Sequence, residues 1–137
     1  MAKSPRAYVD TSALIAFADR SDTHHPLFRR LFSSPPALVT TPLVVVEGHA
    51  WFLRRFDPQR ALQFLAMIEE IRPLEILSVG SKEQAAATIL LRKYSDQELT
   101  LVDAVGLHLM SSRRIKMCWS TDFHLGLTGV PLAIHEF

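Results

Sequence analysis

The most constraining feature of the sequence is a recurring order: a short apolar run, then a hydroxyl or acidic residue, then a stretch of helical periodicity. Ala7, Tyr8 and Val9 lead into Asp10, Thr11 and Ser12, after which Leu14, Ile15, Phe17 and Ala18 fall at helical spacing. Leu27, Phe28, Leu31 and Phe32 predict a second helix. Ala37 to Val39 is a strand-like run before Thr41-Pro42, where a hydroxyl N-cap precedes a proline in the first turn; Asp57-Pro58 repeats that signal before a helix ending at Pro73. Leu74 to Val79 reads as a strand, and Ser81 with Gln84 has capping-box spacing ahead of a helix reaching Tyr94. Thr100 opens a helix through Leu107 and Met110, Ile115 to Trp119 is a buried strand, and Val130 to Ile134 is a short terminal one. Strands alternating with helices predict an α/β layer fold with a mainly parallel central sheet of about five strands and helices on both faces.

A chain of 137 residues, 48% hydrophobic and 21% charged, is long enough for one sizeable core, so a single domain spanning residues 1–137 is expected. The formal charge of +1 leaves room for a local phosphate-binding patch, with Arg29-Arg30, Arg54-Arg55 and Arg113-Arg114 beside Lys116 as its candidate pieces. Cys118 is the lone cysteine, which excludes an intrachain disulfide and suits a reducing cytoplasm. Asp10 interrupts the apolar stretch that an export signal would need, and Glu47 and His49 break the longest membrane-span candidate, so neither export nor a membrane partner is expected. The six histidines lack zinc-type spacing, and Trp51 and Trp119 lie in apolar segments suited to the core.

Four acids stand out by their surroundings. Asp10 falls at the carboxyl end of the first strand, the edge at which open α/β sheets bind ligands, although capping of the next helix by Asp10 or Thr11 also explains it. Glu47 lies in the apolar run Leu43 to Leu53, where a buried carboxylate must be protonated, bound to a cation, or paired with an arginine such as Arg54 or Arg55, unless it stands on an exposed stripe of the helix. Asp103 stands three residues after Thr100, the spacing of a capping box, at the start of an otherwise apolar helical turn. Asp122 follows Met117 to Trp119 and two hydroxyl residues, repeating the pattern around Asp10. Convergence of these acids on one sheet edge would require a cation, and hard oxygen ligands select Mg²⁺ or Mn²⁺, which assist phosphodiester hydrolysis.

With these residues in place, the chain resembles the PIN-domain nucleases, and among them the VapC-type toxins of toxin–antitoxin pairs. Val9-Asp10-Thr11-Ser12 matches the opening apolar strand and D-[ST]-[SN] motif, Thr41 to Glu47 the helical acid, Thr100 to Ala104 the [ST]-x-x-D-[AC] motif, and Ser120 to Leu125 the T-x-D-x-x-[FL] motif. The resemblance implies Mg²⁺- or Mn²⁺-dependent cleavage of single-stranded RNA, a homodimer, and inhibition by a cognate antitoxin. It also implies that Asp10, Glu47, Asp103 and Asp122 form the catalytic, metal-binding quartet. Ser120, a serine where relatives more often carry threonine, would support that site, and Thr11 and Ser12 would order it or contact substrate phosphate. Asp96 matches an acid of some members, but an exposed loop position accounts for it and it stands outside the quartet. A PIN-like module that binds RNA or protein without cleaving is the alternative function. A haloacid-dehalogenase-like phosphatase is disfavoured, because no second aspartate follows Asp10 two residues on.

Overall fold

The computed structural model describes residues 6–72 and 74–137; Pro73, the expected helix end, lies outside them. The elements are β1 Arg6–Val9, α1 Thr11–Ala18, α2 His25–Ser33, β2 Ala37–Thr40, α3 Pro42–Arg55, α4 Pro58–Glu70, β3 Leu74–Ile76, α5 Ser81–Lys93, α6 Leu101–Ser112, β4 Cys118–Trp119, a 3-10 turn Phe123–Gly126, and α7 Ala133–Glu136. The strands form one parallel sheet in the order β3-β2-β1-β4. Chain order runs outward from β1 to one side and then resumes on the other, so the crevice beyond the carboxyl ends of β1 and β4 is a topological switch point.

Alternating side chains of β1, β2 and β4 are buried on opposite faces, as a sheet covered on both sides requires, while the edge strand β3 leaves Glu75 and Ile76 exposed. Ala7, Val9, Leu38 and Trp119 meet Leu14, Phe28, Val44, Phe52 and Phe64 from α1 to α4, whereas Tyr8, Val39 and Cys118 meet Ala87, Val105, Leu107 and Met110 from α5 and α6. This is the expected three-layer arrangement. Close packing of α3 on α4 depends on Gly48, since a Cβ there would stand 2.3 Å from the Phe64 ring.

The proline-marked helix starts form for the expected reason. Thr41 Oγ1 accepts from the Val44 N–H, and Asp57 Oδ1 from the Arg60 N–H. The start of α5 is displaced by one residue: Gly80 takes the cap position, and its N–H donates to Glu83 Oε1 at 2.8 Å, so Ser81 is already helical. Among the described residues the sheet has four strands, not about five. Where a terminal strand is expected at Val130 to Ile134, Leu132 makes a single parallel bridge with Cys118, whose N–H donates to Pro131 O. Pro131 has no N–H with which to extend a ladder, and the chain turns into α7. The strand expected over Ile115 to Trp119 is regular only at its end, because the Ile115 N–H is drawn back to Met110 O. No helix among the described residues is long and apolar enough to cross a membrane.

Candidate active site at the switch point

Asp10 leaves β1 directly and caps α1. Its Oδ2 accepts from the Ser12 hydroxyl at 2.8 Å, the Ser120 hydroxyl at 3.0 Å and the Ser12 N–H at 3.4 Å. Ser120, just beyond β4, also accepts from the Asp122 N–H at 2.9 Å, while Ser12 Oγ accepts from the Thr121 N–H at 2.9 Å. Two hydroxyls therefore lace the ends of the neighbouring strands β1 and β4 together. Thr11 turns the other way and donates its hydroxyl to Glu47 Oε1. Glu47 thus finds a hydroxyl partner, and the arginine pairing weighed for it does not form.

Asp103 does both things its sequence position suggests. Its N–H donates to Thr100 Oγ1 at 3.0 Å and its Oδ2 accepts from the Thr100 N–H at 3.2 Å, completing a capping box. At the same time a carboxylate oxygen of Asp103, one of Asp122 and a ring nitrogen of His124 lie within 4.8 Å of one another. Asp122 caps the 3-10 turn, its Oδ1 accepting from the His124 N–H at 3.0 Å and contacting His124 Nδ1 at 2.8 Å. Among the described residues this His124 contact is the only ion pair, so no Lys or Arg neutralises the four acids.

The carboxylates share one design. Their hydrogen bonds fall on a single oxygen of each, Asp10 Oδ2, Glu47 Oε1, Asp103 Oδ2 and Asp122 Oδ1, and leave the other oxygen free. No sealed side-chain oxygen or nitrogen lacks a partner among the described residues, so these free oxygens reach the solvent side of the crevice. The electrostatics match that picture. Burial raises the Asp10 pKa against the pull of the Ser12 and Ser120 hydroxyls. Burial also raises Glu47 and Asp103, and the neighbouring acids raise both further. Carboxylates that disfavour one another's charge, with no Lys or Arg paired to them and one imidazole beside Asp122, are a donor set fitted to a divalent cation.

Of the expected quartet, Asp103 and Asp122 lie within 4.8 Å of each other with His124, whereas Asp10 and Glu47 stand outside that trio, held by the hydroxyls of Ser12, Ser120 and Thr11 and close enough for the acids to raise the Glu47 pKa. Asp96 is exposed in the turn after α5, apart from this network. His124 is the neighbour that sequence reasoning missed among scattered histidines; its signal is the Asp-x-His spacing at the opening of a tight turn, which carries the imidazole back to the capping carboxylate. The histidine pair near α2 has another use, His25 Nδ1 lying 2.8 Å from Ala16 O. Of the expected basic patch, Arg29 lines a cleft of about 810 Å³ with Arg20 and Arg60, and no carboxylate lines that cleft. Cys118 is buried, as expected of a core residue.

The same architecture occurs in known proteins. The crystal structure of Mycobacterium tuberculosis VapC20, described as a sarcin-ricin loop cleaving toxin, matches with a TM-score of 0.81 at 23% identity over 90% of this chain and 95% of that one. PAE2754 from Pyrobaculum aerophilum matches with a TM-score of 0.66 at 16% identity over 96% and 92% of the two chains. In sequence, the chain is 29% identical to ribonuclease VapC26 of M. tuberculosis over 117 residues, 83% of this chain and 84% of that protein. It is 26% identical to the 23S rRNA-specific endonuclease VapC20 of the same organism over 125 residues, 89% and 93% of the two. The PIN domain model matches residues 7–125, from β1 to the turn behind Asp122, and the chain belongs to the PIN domain family.

Proposed function

We propose that this protein is a metal-dependent endoribonuclease that hydrolyses phosphodiester bonds of single-stranded RNA, working as the toxin of a toxin–antitoxin pair. The observation that carries this reading is the switch-point crevice, in which four carboxylates are each anchored through one oxygen and offer the other. Asp10 and Asp103 are the principal ligands for Mg²⁺ or Mn²⁺, with Glu47 and Asp122 completing the set. A divalent ion held there supplies charge neutralisation for the phosphate and activation of the attacking water.

The protein's own part is preorganisation. Ser120 and Ser12 fix Asp10 in one rotamer, Thr11 fixes Glu47, and the Thr100 box fixes Asp103, so the negative potential is in place before substrate arrives. The relative named as 23S rRNA-specific makes ribosomal RNA the first substrate class to try, and a cognate antitoxin as inhibitor, a homodimer and a cytoplasmic location belong to the same proposal. Incubation of purified protein with single-stranded RNA tests the reading. Cleavage with Mn²⁺ that stops with chelator and in Asp10→Asn and Asp103→Asn supports it. RNA binding without turnover would replace it with the non-cleaving module.

A further inference from the structure

The 3-10 turn behind Asp122 carries an aromatic pair that the four acids leave without a role. Phe123 is 65% exposed, and its ring lies 4.2 Å from that of His124, centroid to centroid, at an interplanar angle of 31°. His124 is in turn bound to Asp122 through both its N–H and its Nδ1. Two short contacts therefore connect a candidate ligand carboxylate to an open aromatic face, and the pair cannot drift from the acids without losing them. The other exposed phenylalanines differ. Phe56 lies under the Arg60 guanidinium at 4.4 Å, and Phe137 lines a separate cavity with Met117 and Trp119.

A flat ring held open beside polar residues matches another flat ring better than it matches an aliphatic surface. Every nucleobase offers such a face, and in a single strand that face is free. An RNA placed with a phosphate at the acids must hold the adjoining bases close to this turn. We propose that Phe123, seated on the His124 ring, stacks the nucleobase next to the scissile phosphate and holds single-stranded substrate in register with the acidic crevice. This subsite rests on the ribonuclease reading and adds a residue outside the acidic quartet and its hydroxyls.

The test uses the full chain with Ca²⁺ in place of Mn²⁺, so that the acids are neutralised and RNA is bound and not consumed, with fluorescence anisotropy of a labelled single-stranded RNA and a series in which one nucleotide at a time is abasic. Phe123→Ala should weaken binding roughly 5- to 150-fold, the range for loss of one base–aromatic stack, and Phe123→Trp should retain it. One abasic position should cost the wild type the same factor and cost Phe123→Ala nothing further. Phe123→Leu binding as tightly as wild type would overturn the proposal, and so would a Phe123→Ala loss that is the same on every abasic RNA. A wild type that binds RNA but never cleaves it with Mn²⁺ defeats the ribonuclease reading and this subsite together; cleavage with undiminished binding by Phe123→Leu defeats the subsite alone.

Discussion

Asp10 and Asp122 follow neighbouring parallel strands, yet the protein holds them differently. Asp10 is 5% exposed and fixed by two hydroxyls from different strand ends, whereas the Asp122 side chain is 33% exposed and held by a histidine two residues on in its own turn. Both accept from the residue two positions on, but only Asp10 also has a partner from across the sheet, Ser120, so its position depends on tertiary structure as well as on its own turn. Burial gives Asp10 a desolvation penalty that the Ser12 and Ser120 hydroxyls relieve in part and a cation or a proton would relieve further, while Asp122 keeps contact with water. The difference makes Asp10 the anchor of the site and Asp122 its adaptable side, and substitutions at the two ends should separate accordingly.

The largest effect should come from Asp10→Asn. Amide for carboxylate removes a charged ligand without changing volume, so RNA cleavage should fall by at least about 10²-fold, while thermal unfolding in chelator is unchanged or shifts upward. A loss of fold would assign Asp10 to structure instead. Ser120→Ala comes next. It removes the hydroxyl that binds Asp10 and accepts from the Asp122 N–H, and an outer partner of this kind should cost about 10- to 100-fold in Mn²⁺ affinity and about 1 kcal/mol in stability, read by calorimetry and denaturant unfolding. Ser120→Thr should recover most of both.

His124→Ala should cost less than Ser120→Ala in Mn²⁺ affinity, because water can reach the oxygen that the imidazole vacates, and stability should stay within about 0.5 kcal/mol. Equal losses at Ser120 and His124 would erase the proposed contrast. A pH series sharpens it further. Asp10, Glu47 and Asp103 have folded pKa values above their ordinary ones. Their contribution to the metal-free protein is therefore fully present below the ordinary carboxylate range and is lost as pH rises through the raised values. In chelator, unfolding temperature should fall over that interval, less steeply in Asp10→Asn. Mg²⁺ should restore it near neutrality and have little effect once protons displace the ion.

Much of this arrangement is legible in the sequence because local chemistry dictates it. Thr41-Pro42 and Asp57-Pro58 specify helix starts through a cap and a fixed φ, and both form as read. The alternation of strand and helix is enough to place Asp10 and Asp122 on one edge. What the sequence conceals depends on partners distant in the chain. Glu47 has two arginines on its own helix, but its hydroxyl partner is Thr11, 36 residues away, and only α1 and α3 packed together reveal it. The Ser81 box fails by one residue because Gly80 can take the extended cap conformation while Glu83 reaches its N–H. The terminal strand fails because pairing depends on backbone N–H groups, and Pro131 has none to offer. Capping and metal binding also proved compatible as readings of Asp103, since a carboxylate has two oxygens and the Thr100 box uses one.

The central claim is that the free oxygens of the four acids form one divalent-cation site. Calorimetric titration of the 137-residue chain with Mn²⁺ at neutral pH tests it most directly, with Asp10→Asn and Asp103→Asn alongside. Saturable binding by the wild type, lost or strongly weakened in both variants, is the predicted result. Wild-type binding that both variants retain, or no binding at all, would contradict it.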